Sequence, residues 1–152
     1  MNNRKRVIRA IENLKSGNYS TELLKNNLLY DALVIFLSPT DRDILYNRIN
    51  IRVDKMVEEG LIKEVKFLYD NKLLGDTSSQ AIGYKELAPY FENNDTLESC
   101  IDKIKQSSRH YAKRQITWFK HKEYTKFISV DYDNFNNTIN ETKLLINEFL
   151  NK

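Results

Sequence analysis

Apolar residues recur at helical spacing through most of this chain, and only two short stretches depart from that period. Val7, Ile8, Ile11 and Leu14 step by three and four within "NRKRVIRAIENLKSG", predicting a helix that stops at Gly17. Ser20 offers an N-cap for a second short helix over "STELLKNN". "YDALVIFLS" is a compact run of β-compatible residues, and Ala32–Leu37 reads as a buried strand. In "SPTDRD" a new helix begins, with Thr40 and Asp43 spaced as a capping box. It runs to about Glu59, where Gly60 breaks it, and another helix continues through "LIKEVKFLYDNKL". "LGDTSSQAIGYKEL" is the least periodic stretch and predicts a loop leading into a short helix over Tyr84–Phe91. The longest helix follows, capped near Asp95 or Thr96 and running through "KRQITWFKHK". "KFISVDYD" predicts a second strand and "NETKLLINEFL" a closing amphipathic helix.

Two buried strands must satisfy their backbone groups by pairing, and even a two-stranded unit is marginal alone. Strands separated by helices ordinarily belong to a parallel sheet covered on both faces. Either these two pair with each other, or part of the fold lies outside the sequence. The class expected is α/β, mostly helical, with few strands.

Composition narrows this picture. A chain of 152 residues suits one domain with a modest core, and four glycines with two prolines leave little scope for a turn-rich sheet fold. The sequence holds no run of about 18 apolar residues and no hydrophobic signal core in "MNNRKRVIRA", so a soluble, cytoplasmic chain without a membrane partner is expected. Cys100 is the only cysteine, which excludes an internal disulfide and a cysteine-based zinc site. His110 and His121 are eleven apart, a poor metal pair, and no metal ligand is assigned.

The net charge of +3 conceals an uneven distribution. Residues 1–15 carry +4 and residues 101–125 carry +5, leaving −6 for the rest. Two basic segments on an acidic chain point to a polyanionic partner, although charge runs are also common as solvated faces. Within the second segment, Ile101, Ile104, Ser108, Tyr111, Gln115 and Trp118 line one side of a helix. Ser108 and Gln115 interrupt that stripe, and an amide buried there unpaired would cost about 1–3 kcal/mol. Arg109, Lys113, Thr117 and Lys120 form a second, cationic stripe. Aromatic rings beside cations suit RNA, where bases stack and phosphates meet lysine and arginine. The competing reading buries Tyr111, Trp118 and Phe119 in the core and leaves the lysines in water; the two readings can hold for opposite faces.

Arg48 and Arg52 sit four apart on one helix face, a like-charge pair that costs a few tenths of a kcal/mol unless an anion or carboxylate lies between them. Gly83 precedes a helix N-terminus, whose amides can hold a phosphate. The glycines cannot supply a G-x-x-x-x-G-K-[ST] loop, and neither a Ser–His–Asp set nor a general base stands out.

Four stretches, "RVIRAIE" (6–12), "LYNRINIRVDKMVEEGLIKEV" (45–65), "QAIGYKEL" (80–87) and "YAKRQITWFK" (111–120), together resemble tRNA dimethylallyltransferases in order and spacing. The resemblance implies transfer of a dimethylallyl group from its diphosphate to N6 of the adenosine 3′ of the anticodon, with Mg2+. It also implies a P-loop NTPase-like core with an inserted helical domain. Such enzymes carry a phosphate-binding loop and a general base ahead of the segment that matches here. The chain is therefore expected to be the C-terminal half, with 1–28 ending the inserted domain and 29–152 completing the core. It is expected to be inactive without its N-terminal half and to hold no catalytic residue or metal ligand itself.

By the same resemblance Arg52, and less closely Arg48, face the diphosphate. Gly83, Tyr84 and Lys85, with Lys113, Arg114, Gln115, Thr117, Trp118 and Lys120, contact the tRNA anticodon stem-loop, and the cationic stripe of the same helix adds Arg109 to that set. Lys120 stands where arginine is common, which keeps the charge and loses the fork. Two other identities fit less of this pattern: a stand-alone RNA-binding module without catalysis, and an adenylate isopentenyltransferase relative, against which "KRQITW" argues.

Overall fold

The computed structural model describes residues 4–17 and 30–151. Helix α1 (Arg4–Lys15) forms as its periodicity predicts, and the expected helix at Ser20 lies outside the described residues. Strand β1 (Val34–Pro39) leads to α2 (Arg42–Glu58) and α3 (Leu61–Asp70). A single 3-10 turn at Ser78–Gln80 then precedes α4 (Tyr84–Phe91). Next come α5 (Leu97–Lys120), β2 (Thr125–Val130) and α6 (Phe135–Leu150). The architecture is mostly helical with a small parallel sheet.

The two strands pair with each other, Val34 opposite Thr125 and Pro39 opposite Val130. A parallel pair needs a crossover, and everything from α2 to α5 supplies it. This pairing sets the ends of β1, which starts two residues later than its apolar run and finishes at Pro39. On β2, Thr125, Ile128 and Val130 are buried, and α6 packs on this strand. Phe36 on β1 meets Phe127 at 5.1 Å and Phe119 at 4.8 Å between ring centroids, docking the end of α5 against the sheet.

The main core lies away from the sheet. Val53, Leu61, Val65, Leu87, Cys100 and Ile104 are buried together, joining α2, α3, α4 and α5. Two glycines make its corners. Gly60 (φ 110°) and Gly83 (φ 100°) precede α3 and α4 in left-handed backbone that a side chain rarely adopts.

Two helix starts differ from expectation. Asp41, not Thr40, caps α2: its carboxylate accepts the Asp43 amide at 2.8 Å. Helix α6 begins at Phe135, earlier than its apolar pattern indicates, because Asp131 organises the turn before it. The Asp131 carboxylate accepts from the Asn134 amide at 2.8 Å and the Asn137 side chain at 2.7 Å, while Thr138 Oγ1 accepts the Asp131 amide at 2.9 Å. At α5 the Thr96 hydroxyl accepts the Ser99 amide, and Asp95 takes the Thr96 amide, the Ser99 hydroxyl and Lys103.

Leu87 is fully buried at the centre of this core. Leu87→Ala should lower unfolding free energy by about 2–5 kcal/mol in urea titration, and a loss below that range would mean the site collapses to fill its cavity. A second prediction concerns acid. Lys103, then the Thr96 amide and Ser99, hold Asp95 below the usual aspartate range, and the Asn134 amide with Asn137 does the same for Asp131. The stability these carboxylates contribute is complete above about pH 4 and is lost as pH falls through their lowered folded values. Asp95→Asn combined with Asp131→Asn should flatten the decline of the urea midpoint below pH 4. An unchanged acid slope would remove both groups from the account.

Candidate RNA and phosphate interface

Helix α5 divides into two electrostatic halves. In its first half the cations are partnered: Lys103 with Asp95, and Lys105 with Asp54 at 2.6 Å. Arg109 donates from Nη1 to Asn50 Oδ1 at 2.6 Å and lies 6.0 Å from the Tyr46 ring centroid. Arg109 thus binds α5 to α2. In the second half, Lys113, Arg114, Lys120 and Lys122 form no ion pair among the described residues. Arg114 instead lies 5.6 Å from the Tyr111 ring centroid, and Lys122 lies 4.9 Å from that of Trp118.

The apolar stripe divides at the same place. Ile104 is buried and Ile101 half-buried, whereas Tyr111 is 50% and Trp118 53% exposed. Gln115 is exposed, so the cost of burying its amide does not arise. Phe119 is half-buried against Phe36, so of the three aromatics only this one takes the core role. Exposed rings interleaved with unpaired cations can stack bases and hold backbone phosphates.

Two grooves flank the α2–α5 seam. One, of about 320 Å³, lies at the end of β1 and is lined by Ser38, Arg42, Tyr46, Lys113, Thr117 and Lys120. The other, of about 510 Å³, sets Arg52 and Gln115 beside an apolar floor of Val53, Met56, Ile82 and Ile104. Arg48 and Arg52 share an open depression with Lys55, and the Arg48 guanidinium lies 4.7 Å from the Tyr132 ring centroid. The structure therefore brings Arg52 to Gln115, Arg48 to Arg52, and Lys113 to Thr117 and Lys120.

Gly83, Tyr84 and Lys85 line neither groove. The Gly83 amide donates to buried Glu86 Oε2 at 2.8 Å, so this helix start already carries an anion. Among the described residues Glu86 Oε1 has no hydrogen-bond partner and only a 3.5 Å ion contact with Lys85. Tyr84 donates to Glu64, and that bond, followed by burial, raises its phenol above the ordinary value. This corner braces α3 against α4.

Arg42 and Tyr46 went unrecognised in the sequence. The signal was present, since the two sit four apart on one face at the start of α2. Among the described residues no group of three or more His, Cys, Asp or Glu side chains can hold a metal ion. No described helix is long and apolar enough to cross a membrane.

These elements match those of known RNA-modifying transferases. The sequence model of the IPP transferase family matches residues 1–122, and the chain belongs to that family. It is 45% identical to the tRNA dimethylallyltransferase of Streptococcus agalactiae serotype Ia over 97% of this chain and 47% of that protein. To the Bacillus subtilis tRNA dimethylallyltransferase it is 52% identical, over 80% of this chain and 40% of that protein. The crystal structure of full-length tRNA isopentenylpyrophosphate transferase from Bacillus halodurans superposes with a TM-score of 0.70 at 42% identity, covering 98% of this chain and 47% of that one. The tRNA delta(2)-isopentenylpyrophosphate transferase of Staphylococcus epidermidis gives 0.74 at 40% identity, covering 97% and 50%. The chain thus spans about half the length of the curated relatives it matches.

Arg109→Ala should destabilise the fold by about 1.5–3 kcal/mol, the range for a hydrogen bond from a charged donor. Lys113→Ala, exposed and unpaired, should stay within about 0.5 kcal/mol of the parent. Equal losses for the two in urea titration would contradict the division of α5 into a bracing half and a presenting half.

Proposed function

We propose that this chain supplies the tRNA grip and one side of the diphosphate site of an enzyme that moves a dimethylallyl group from its diphosphate to N6 of the adenosine 3′ of the anticodon. The observation that carries this reading is the second half of α5, where Lys113, Arg114 and Lys120, without an ion pair among the described residues, accompany exposed Tyr111 and Trp118. Membership of the IPP transferase family and the names of its relatives, tRNA dimethylallyltransferase and tRNA isopentenylpyrophosphate transferase, support the substrate assignment.

In this reading Lys113, Arg114 and Lys120 meet backbone phosphates of the anticodon stem-loop, Trp118 stacks a base, and Gln115 with Thr117 faces the RNA. Gly83, Tyr84 and Lys85 approach the same stem-loop from the α3–α4 corner. Arg109 acts through α5 by holding it to α2. Arg52, with Arg48 beyond it, faces the diphosphate. As the allylic carbon–oxygen bond breaks, the leaving diphosphate gains charge, and guanidinium groups fixed nearby stabilise it. The apolar floor beside Arg52 excludes water from that charge.

The parallel strand pair is then part of a P-loop NTPase-like core, and α1 ends an inserted helical domain. A second polypeptide segment, the N-terminal half of the relatives, completes the enzyme, which acts in the cytoplasm. The resemblance calls for Mg2+, and among the described residues no group of three or more His, Cys, Asp or Glu side chains is placed to hold it.

A labelled anticodon stem-loop RNA titrated with the 152-residue chain at several salt concentrations tests the reading. Binding should weaken with salt, and Lys113→Ala and Arg114→Ala should each reduce the slope of log K against log salt by about 0.7–0.9. With dimethylallyl diphosphate added, the chain alone should yield no prenylated RNA. Affinity and slope untouched by both substitutions would take α5 out of the interface.

A further inference from the structure

We propose that the groove at the end of β1 is a phosphate-binding subsite in which Arg42, Lys113 and Lys120 converge on one phosphate group. The proposal deepens the RNA reading above and rests on it for the source of that phosphate. Arg42 comes from the first turn of α2, Lys113 and Lys120 from α5 two turns apart, and all three line one 320 Å³ cavity. No acidic side chain lines it, and none of the three cations is ion-paired among the described residues. Elsewhere on α5 the cations Lys103 and Lys105 have carboxylate partners. Like charges gathered without a counter-ion repel, so their convergence here is stabilised only when an anion sits among them.

Side chains rather than backbone amides would hold the anion. The α2 N-terminus is already capped by the Asp41 carboxylate, and the Thr117 hydroxyl donates to the Lys113 carbonyl at 2.9 Å. Arg42 supplies a planar fork suited to two phosphate oxygens, and the lysines supply point charges. Leu45 and Ile116 form an apolar floor that concentrates the field of these cations at the rim. The position also suits a ligand, because crevices outside the carboxyl ends of parallel strands are where open α/β sheets bind them.

The phosphate belongs either to the RNA backbone or to the diphosphate, and two probes separate them. The full chain, Arg42→Ala and Lys120→Ala would each be titrated with a labelled anticodon stem-loop and with inorganic diphosphate, the latter followed by backbone amide shifts. Lys66→Ala, paired with Asp70 on α3, serves as the control. If the RNA supplies the phosphate, Arg42→Ala weakens RNA binding roughly tenfold. It also lowers the salt slope by about 0.7–0.9 and leaves diphosphate binding unchanged. If the diphosphate supplies it, the amide shifts near Thr40 and Thr117 disappear in Arg42→Ala while RNA affinity holds. Lys120→Ala follows the same pattern from a different helix, whose own cap at Thr96 it leaves intact, so misfolding of one variant leaves the other decisive. Should the parent chain bind no RNA, the RNA reading of α5 falls, and the diphosphate titration still judges the groove. Parent-like affinity for both probes in both folded variants overturns the subsite.

Discussion

Burial of Cys100 and Ile104 against Val53, Val65 and Leu87 is the constraint on which the rest of the structure depends. It seats the first half of α5 in the angle between α2 and α4. The second half continues as the same helix to the sheet, where Phe119 packs on Phe36; an α-helix advances 1.5 Å per residue and Lys120 lies sixteen residues beyond Ile104. Core packing thereby places basic side chains about 24 Å from the point of anchorage. Held by Ile104 in the core and by Phe119 on the sheet, the helix keeps these cations in a fixed position. The Arg109–Asn50 bond falls between the two halves and fixes the rotation of α5 against α2.

Charge is arranged to respect the same division. Acidic partners accumulate where α5 is packed: Asp95 at its start and Asp54 across the seam. Past Arg109 they cease among the described contacts, and each cation turns to an aromatic ring or to a groove. A net charge of +3 conveys none of this, since the same totals could pair every lysine locally. What matters is that partners are supplied at one end of a helix and withheld at the other, leaving a field that a polyanion can complete.

Much of the helical architecture was legible in the sequence because long amphipathic segments with Gly or Thr at their ends carry redundant signals. Tyr84–Phe91 and the Thr96 cap of α5 are such cases. Short-range competition was less legible. Thr40 and Asp41 are both capping residues, and the carboxylate prevails by reaching the Asp43 amide. The start of α6 is set by a side-chain network around Asp131 that no apolar period reports. Strand β1 was displaced because parallel pairing with a segment ninety-one residues away, Val34 to Thr125, decides its ends. At the site, the cationic stripe of α5 was readable, but the separation of bracing Arg109 from presenting Lys113 was not. That distinction depends on Asn50, a residue on another helix. Arg42 escaped notice for the same reason: its meaning lies in facing Lys113 and Lys120 across the seam.

Lys120 shows how such pairings compensate. An ammonium in place of a guanidinium retains charge and loses bidentate geometry, so alone it would hold a phosphate without orienting it. In the groove it faces Arg42, whose fork can impose the orientation while the lysine adds charge on a flexible stem. The two residues lie on helices joined by the α2–α5 seam, so the core that fixes one against the other also fixes where a phosphate would sit. In the proposed subsite, recognition and stability are therefore linked through the same packing.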